Sequence, residues 1–251
     1  MNKTSEYELT IIVPVYNEAD NMAQIEKRLG AFLPHSLKRA CVLMVDDGST
    51  DDSLSLMRGI CSRNRDFYHI SFSRNNGLSA AMKAGIDFAC SEWVGYIDAD
   101  LQTDPEDFNL LLAKAGEYDM VTGIRANRKD SGFKKLQSKI ANGFRRKMTG
   151  DVMKDTGCPL KVMRTSMARK VPFFTGMHRF LGALLMLQDA RIEQIPVRHY
   201  PRVAGVSKFS LSNRLVGPFM DCFAYRWMRT RYIDYKVASG DLNGDNDNAG
   251  K

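Results

Sequence analysis

The chain has 251 residues, of which 44% are hydrophobic and 26% are charged, as is ordinary for a folded soluble protein. Its five cysteines are odd in number and no two have C-x-x-C spacing, which argues against a disulfide framework and a cysteine zinc site. This cysteine usage fits a reducing, cytoplasmic compartment.

The net charge of +7 is unevenly distributed along the chain. Residues 1–120 carry 11 Lys/Arg and 19 Asp/Glu, whereas residues 121–251 carry 25 Lys/Arg and 10 Asp/Glu. An acidic first half suits a cation, and a basic second half suits phosphates, nucleic acid or an anionic membrane surface. Nothing in the sequence matches an RNA- or DNA-recognition motif, so we expect no nucleic-acid partner.

Strand and helix patterns alternate through the first half. Apolar and β-rich runs predict five strands, at Leu9–Val13, Cys41–Val45, Phe67–Phe72, Trp93–Ile97 and Tyr118–Thr122. Helical patterns lie between them, at Met22–Phe32, Asp51–Ile60, Ser79–Ala89 and in a helix whose first turn contains Pro105. This alternation predicts an α/β fold with a mostly parallel central sheet flanked by helices.

The second half is less regular. Lys134–Met148 has the spacing of a basic amphipathic helix, and Ile192–Val197 is predicted to be a strand. Phe209–Tyr232 mixes large apolar residues with arginines, so it is either an interfacial helix or a helix packed on the core. The longest apolar stretch, Phe180–Leu187, is far shorter than the roughly 20 residues that span a bilayer. Residues 238–251 are predicted to be disordered.

Polar clusters follow three of the predicted strands. These clusters are Tyr16–Glu18, Asp46–Gly48 and Asp98–Asp100. In parallel sheets, ligands bind outside the carboxyl ends of the strands, so we expect the three clusters to converge on one crevice.

The Asp98-Ala-Asp100 sequence is the strongest candidate for a cation site. Two carboxylates at a strand end can share a hard divalent ion, and Mg²⁺ takes one or two protein carboxylates together with substrate phosphate oxygens. Gln102 is a candidate for a further oxygen ligand. Acidic turns are common, so this pair alone is weak evidence. Asp47 is expected to contact a base or ribose, while Ser49 or Asp51 caps the following helix.

Five short motifs follow one another along the chain, at Val13–Glu18, Asp46–Asp51, Arg74–Gly77, Asp98–Gln102 and Arg202–Lys208. Together and in this order they resemble the motifs of glycosyltransferase family 2. The closest branch contains dolichyl-phosphate mannosyltransferase and bacterial polyprenyl-phosphate glycosyltransferases, and the resemblance covers residues 9–236. Asp155–Lys161 and Met177–Phe180 also resemble the bacterial members.

The resemblance implies a GT-A fold in a single domain, residues 1–237, with a nucleotide-binding half at 1–124 and a basic acceptor half at 125–237. It implies that the nucleotide is held by Pro14, Tyr16, Glu18, Asp47 and Asp98. It implies Mg²⁺ or Mn²⁺ bound by Asp98, Asp100 and Gln102. It implies phosphate contacts, of donor or acceptor, from Arg125, Lys134, Arg202 and Lys208.

The implied reaction is direct displacement with inversion, from a nucleotide-diphosphate sugar to a polyprenyl phosphate at the inner face of the cytoplasmic membrane. Catalytic roles fall to Asp100, Arg125 and Asp155. A phosphate acceptor is already ionised and needs no base. A saccharide or glycolipid hydroxyl, the first alternative, would need one, and Asp155 is the candidate. The second alternative is a non-catalytic nucleotide-sugar-binding module. The sugar and the oligomeric state are not determined by the sequence.

Overall fold

A computed structural model gives the architecture of residues 6–125, 142–200 and 211–233, together with Tyr235 and Ala238. For residues 211–216 and 218, only the backbone is described. Three predicted phosphate contacts, Lys134, Arg202 and Lys208, lie outside the described residues, as does almost all of the predicted tail at 238–251.

Seven strands form one sheet in the order β3-β2-β1-β4-β6-β5-β7. All pairings are parallel except those of β6, which is antiparallel to both of its neighbours. The fold is therefore the predicted α/β architecture with a mostly parallel sheet. The strands are β1 (Leu9–Val15), β2 (Ala40–Asp46), β3 (Phe67–Ser71), β4 (Trp93–Tyr96), β5 (Met120–Arg125), β6 (Lys161–Arg164) and β7 (Ile192–Val197).

Helices flank both faces of the sheet. They are α1 (Met22–Phe32), α2 (Ser53–Arg63), α3 (Leu78–Phe88), α4 (Phe108–Leu112), α5 (residues 142–149), α6 (Thr165–Lys170), α7 (Leu181–Met186) and α8 (Leu211–Arg229). Among the described residues, no helix has both the length and the apolar character to cross a bilayer.

Strand β1 extends two residues beyond its predicted end and includes Pro14. The Ile12 carbonyl accepts a hydrogen bond from the amide of Ile97, so it faces β4. Pro14, two residues on, faces the same side. The pairing with β4 ends at Ile12 and Tyr96, so the missing amide of Pro14 breaks no ladder bond.

The sheet separates two apolar cores. Helices α1, α2 and α4 cover one face, where Leu29, Phe32 and Phe108 pack on side chains of β1, β2 and β4. Helices α3, α6 and α7 cover the other face, and α8 adds Cys222 and Tyr225 to that core. Alternate residues of the strands therefore point into different cores, and the strand ends are left to form the site.

The antiparallel strand β6 was not predicted. It comprises only Lys161–Arg164 and carries a charged residue at each end, so it lacks the apolar run that identifies the other strands. Its insertion between β4 and β5 brings the chain after Asp155 next to the end of β4.

Candidate active site

The loops that follow β1 and β2 are joined by hydrogen bonds. The Asn17 amide donates to Ser49 Oγ at 3.0 Å, and the Thr50 amide donates to Asn17 Oδ1 at 2.8 Å. The Glu18 amide donates to Ser53 Oγ at 2.8 Å. Strands β1 and β2 are adjacent and parallel, so the predicted clusters at their ends lie at the same edge of the sheet. Ser49 thus holds the neighbouring loop and does not cap α2.

Asp47 holds a third loop, between β3 and α3. Its carboxylate accepts hydrogen bonds from the amides of Asn76 and Gly77, at 2.7 and 2.9 Å, and from Asn75 Nδ2 at 3.1 Å. Burial raises the pKa of Asp47, and the two amide bonds oppose that rise. Asp47 therefore orders the loop, whatever further contact it makes with a nucleotide.

Gly48 allows that loop to approach. Its φ is +69°, which disfavours any side chain, and a Cβ atom here would lie 2.6 Å from the backbone nitrogen of Asn75. The loop after β2 and the loop after β3 are therefore in direct backbone contact.

The structure buries Pro14 within β1. Tyr16 and Glu18 lie beyond the end of the strand and are partly exposed. That Pro14, Tyr16 and Glu18 help to hold the nucleotide stays a prediction.

The cation motif lies directly after β4. The Tyr96 hydroxyl donates to Asp98 Oδ1 at 2.6 Å, and Asp100 Oδ1 accepts a hydrogen bond from the Gln102 amide at 3.2 Å. Burial raises the pKa of Asp98 and the charge of Asp100 acts in the same direction, against the Tyr96 hydrogen bond. Two carboxylates that repel each other in a partly buried setting are suited to a cation between or beside them.

Leu101, between Asp100 and Gln102, has a φ of +45°. This conformation is rare for a branched residue and is found where the surroundings enforce it. Here the Leu101 side chain is buried, and its carbonyl accepts a hydrogen bond from Arg28 at 2.9 Å. The turn that presents Asp100 is therefore held by the buried Leu101 side chain and by the hydrogen bond to the Leu101 carbonyl.

The same turn is joined to the chain that follows β7. The Tyr200 amide donates to the Gln102 carbonyl at 2.7 Å, and Gln102 Nε2 donates to the Tyr200 carbonyl at 3.3 Å. Thr103 and His199 form an isolated antiparallel bridge. Arg198 pairs with Asp107 at 2.7 Å. The predicted metal ligand Gln102 is thus hydrogen-bonded to Tyr200, which lies two residues before the Arg202–Lys208 motif in the sequence.

Arg125 and Asp155 form a bidentate ion pair. Nε and Nη2 of Arg125 each lie 2.8 Å from an Asp155 oxygen, and both side chains are mostly buried. Burial acts to raise the pKa of Asp155, but the hydrogen bonds and charge of Arg125 outweigh it and the pKa is lowered. A carboxylate stabilised in its ionised form is a weak base, so this geometry disfavours the predicted base role.

The described residues fit a hard divalent cation that is completed by a substrate. They contain no group of three or more His, Cys, Asp or Glu side chains placed to hold a metal ion by themselves. Asp98 and Asp100 supply two carboxylates from one turn, and Mg²⁺ uses one or two such groups with phosphate oxygens and water.

Comparison with protein families matches residues 10–173 to the model described as glycosyl transferase family 2. The chain belongs to this family. The match includes the loops after β1, β2, β3 and β4, so the predicted resemblance is confirmed and the chain is a glycosyltransferase.

One curated relative of this glycosyltransferase is dodecaprenyl-phosphate galacturonate synthase of Rhizobium johnstonii. It is 36% identical over 243 residues, which cover 94% of the present chain and 70% of the relative. The relative belongs to the polyprenyl-phosphate branch that the motifs indicated.

Solved structures support the GT-A fold. Glucosyl-3-phosphoglycerate synthase from Mycobacterium tuberculosis, bound to phosphoglyceric acid, has a TM-score of 0.65 and 15% identity, with coverage of 92% of this chain and 82% of that chain. The same enzyme bound to Mn²⁺ and UDP-glucose has a TM-score of 0.64 and 16% identity, with the same coverage. At these identities the likeness shows the fold alone.

Sequence reasoning missed two side chains at the site of this glycosyltransferase. Tyr96 was assigned only to a strand, although its hydroxyl holds Asp98. Lys161 is buried beside Tyr96, and its ammonium donates to the Cys158 carbonyl. A single lysine between the apolar pairs Pro159-Leu160 and Val162-Met163 is the pattern that could have indicated a buried cation.

Proposed function

We propose that this glycosyltransferase moves a sugar from a nucleotide-diphosphate donor to a polyprenyl phosphate, with the aid of Mg²⁺ or Mn²⁺ and with inversion. The observation that carries the proposal is the pair Asp98 and Asp100, presented on one fixed turn at the carboxyl end of β4. The solved GT-A structure that binds Mn²⁺ and UDP-glucose supports the donor class.

A bound cation would neutralise the charge that develops on the departing diphosphate. The chain's own residues would bind and orient the two substrates. Asp98, Asp100 and Gln102 would hold the cation, while Tyr16, Glu18 and Asp47 would position the nucleotide. Arg125, with Lys134, Arg202 and Lys208, would supply positive charge for phosphate groups.

Two observations favour a phosphate acceptor over a hydroxyl. The relative with 36% identity is named for a dodecaprenyl-phosphate product. The ion pair with Arg125 lowers the pKa of Asp155, which makes this carboxylate a weaker base than an unpaired aspartate. A phosphate monoester is mostly dianionic at neutral pH, because its second pKa is about 6, so it can attack without deprotonation.

A polyprenyl phosphate resides in a membrane, and α8 offers a surface suited to one. We define the apolar stripe of α8 as Phe219, Met220, Phe223 and Trp227, all exposed. Phe219 stacks on Phe144 of α5 at 4.8 Å, so the two helices contribute to one aromatic surface.

Cations lie in the last turn of the same helix and just after its end. Arg226, Arg229 and Arg231 are exposed, and Arg231 lies over the Trp227 ring at 5.0 Å. Aromatic rings beside arginines are the composition of helices that lie in the interface of anionic bilayers. This supports a peripheral position on the membrane, with the stripe inserted among the headgroups.

The test is transfer of radiolabel from nucleotide sugars to a polyprenyl phosphate in detergent with Mn²⁺. UDP-galacturonate is the first donor to try, because of the relative's name, and UDP-glucose is the comparison. We expect label in an acid-labile lipid product, and we expect Asp98→Asn and Asp100→Asn to abolish it. Asp87→Asn, in an exposed pair with Lys83, is the matched control that keeps activity.

Three outcomes contradict the proposal. Equal turnover by the Asp98 variant refutes the metal assignment. Label that passes only to a saccharide hydroxyl favours the alternative acceptor. Nucleotide binding without turnover on any acceptor favours the non-catalytic module. The anomeric configuration of the product, measured by NMR, tests inversion.

A further inference from the structure

A lysine is enclosed in the sheet next to the cation motif. Lys161, on β6, has 4% of its surface exposed. It pairs in register with Tyr96 of β4 and with Thr122 of β5, so the three side chains form a row across adjacent strands. Tyr96 belongs to the core under α3, which places this row on that side of the sheet.

Tyr96 connects the lysine with Asp98. The Lys161 ammonium lies 6.0 Å from the centroid of the Tyr96 ring, and the Tyr96 hydroxyl donates to Asp98 Oδ1 at 2.6 Å. The ammonium also donates to the Cys158 carbonyl, which fixes its place. A chain of three contacts thus runs from a main-chain carbonyl to a carboxylate of the cation motif.

Packing alone does not explain a charge at this position. A buried ammonium costs free energy unless opposite charges lie close, and an apolar side chain would fill the same volume at lower cost. Burial lowers the pKa of Lys161, and the charges of Asp98 and Asp155 oppose that shift. The carboxylates that favour the charged form of Lys161 are thus those of the crevice.

We infer that Lys161 is a positioning residue for the cation site. Its charge holds the Tyr96 ring from one side, and the Tyr96 hydroxyl fixes the orientation of Asp98. The inference rests on the proposed function, because it concerns the affinity of Asp98 and Asp100 for a divalent cation. Lys161 itself acts through Tyr96 and needs no contact with a substrate.

The experiment is a Mn²⁺ titration of the full chain with saturating UDP, in which free Mn²⁺ is measured by electron paramagnetic resonance. We expect Lys161→Met and Tyr96→Phe each to weaken Mn²⁺ binding by about tenfold, as is typical for residues that orient metal ligands. The double variant should be no weaker than either single variant, because both act along one path. Lys161→Arg keeps the charge and should keep most of the affinity.

Arg145→Met is the matched control. Arg145 is also a buried cation, and it pairs with Asp151 at 3.4 Å beneath α8. Its replacement should lower the melting temperature without changing Mn²⁺ affinity. If Lys161→Met lowers only the melting temperature, or if the two losses multiply in the double variant, the inference is overturned.

The variants Tyr96→Phe and Asp98→Asn separate a failure of this inference from a failure of the proposed function. If Lys161→Met does not fold, Tyr96→Phe carries the test, and unchanged Mn²⁺ affinity in that variant overturns the inference. Asp98→Asn should abolish binding. If Asp98→Asn binds Mn²⁺ normally, the cation site of the proposed function is wrong. If it abolishes binding while Lys161→Met and Tyr96→Phe do not weaken it, only the role of Lys161 is wrong.

Discussion

Arg125 occupies both oxygens of the Asp155 carboxylate, since Nε and the backbone amide donate to one oxygen and Nη2 donates to the other. Gly157 completes the arrangement, because a Cβ atom there would lie 2.8 Å from Nη2. The pair connects the end of β5 with the loop that leads into β6.

Removal of one partner from this pair should lower the stability of the fold. We expect Asp155→Asn or Arg125→Met to lower the free energy of unfolding by about 3 kcal/mol, because each leaves the other group buried without its counter-charge. The double variant Arg125→Met with Asp155→Leu should lose clearly less than the sum of the single losses. Urea unfolding measures all of them, and fully additive losses would show that the pair is not coupled.

The close approach at Gly48 predicts a strong local effect of one methyl group. Gly48→Ala must place its Cβ against the backbone of Arg74 and Asn75, so the β3–α3 loop must move away from Asp47. We expect a loss of about 1–3 kcal/mol in unfolding free energy together with weaker UDP binding by calorimetry.

Gly116→Ala is the control for this substitution. Gly116 also has a positive φ, of +102°, but an added Cβ would meet no atom within 4 Å. Gly116→Ala should therefore lower the free energy of unfolding only through the unfavourable positive φ, and it should leave UDP affinity unchanged. Equal effects of the two substitutions on UDP binding would show that the contact of the two loops is unimportant.

The apolar stripe of α8 should determine binding to membranes. We expect Phe223→Ser with Trp227→Ser to reduce co-sedimentation with vesicles that contain phosphatidylglycerol, because each exposed ring contributes buried apolar area in the interface. Binding by the unaltered chain should fall as salt is raised, since the arginines act by charge. Phe88→Ser is the control, because Phe88 is equally exposed, at 62%, on α3. Comparable losses in both variants would show nonspecific adhesion.

A partly buried histidine should make the fold sensitive to mild acid. His178 shares a hydrogen bond of 3.0 Å with Ser79 Oγ, and burial, followed by the charge of Arg179, lowers its pKa from 6.5 to about 3. Below pH 6.5 the unfolded chain therefore binds a proton that the folded chain does not. The contribution of His178 to the free energy of unfolding is therefore fully present above pH 6.5 and is lost as the pH decreases toward 3.

We expect the free energy of unfolding to drop by about 2 kcal/mol between pH 7.5 and pH 5.0 through this group alone. His178→Asn, which keeps a polar atom near Ser79, should flatten the pH dependence over this interval. Urea unfolding at the two pH values measures the difference. The same slope in both proteins would assign the acid sensitivity to other groups.

The central parallel strands were predictable because they are buried on both faces. Leu9–Val15 and Ala40–Asp46 are buried at every position, which gives continuous apolar runs in the sequence. Strand β6 has no such run, because Lys161 lies at one end of it and Arg164 at the other. Strand β6 is buried because it lies between β4 and β5, and no local sequence pattern predicts that position.

The position of the site was predictable, but its internal contacts were not. Parallel strands bring their carboxyl ends together, so Glu18, Asp47 and Asp98 were expected at one edge of the sheet. That Asp47 would hold the loop at Asn76, or that Asp155 would pair with Arg125, depends on loop conformations 29 to 30 residues apart in sequence. The roles proposed for these residues toward ligands remain predictions.

The junction of Gln102 with Tyr200 uses the amide and the carbonyl of Tyr200, and the Tyr200 hydroxyl donates to Asp104 at 3.3 Å two residues after Gln102. The two backbone bonds constrain the number of residues between β7 and this point. One inserted or deleted residue after Val197 would shift the amide and carbonyl out of phase and detach the strand end from the cation turn. Related chains should accordingly keep the same length between β7 and this point.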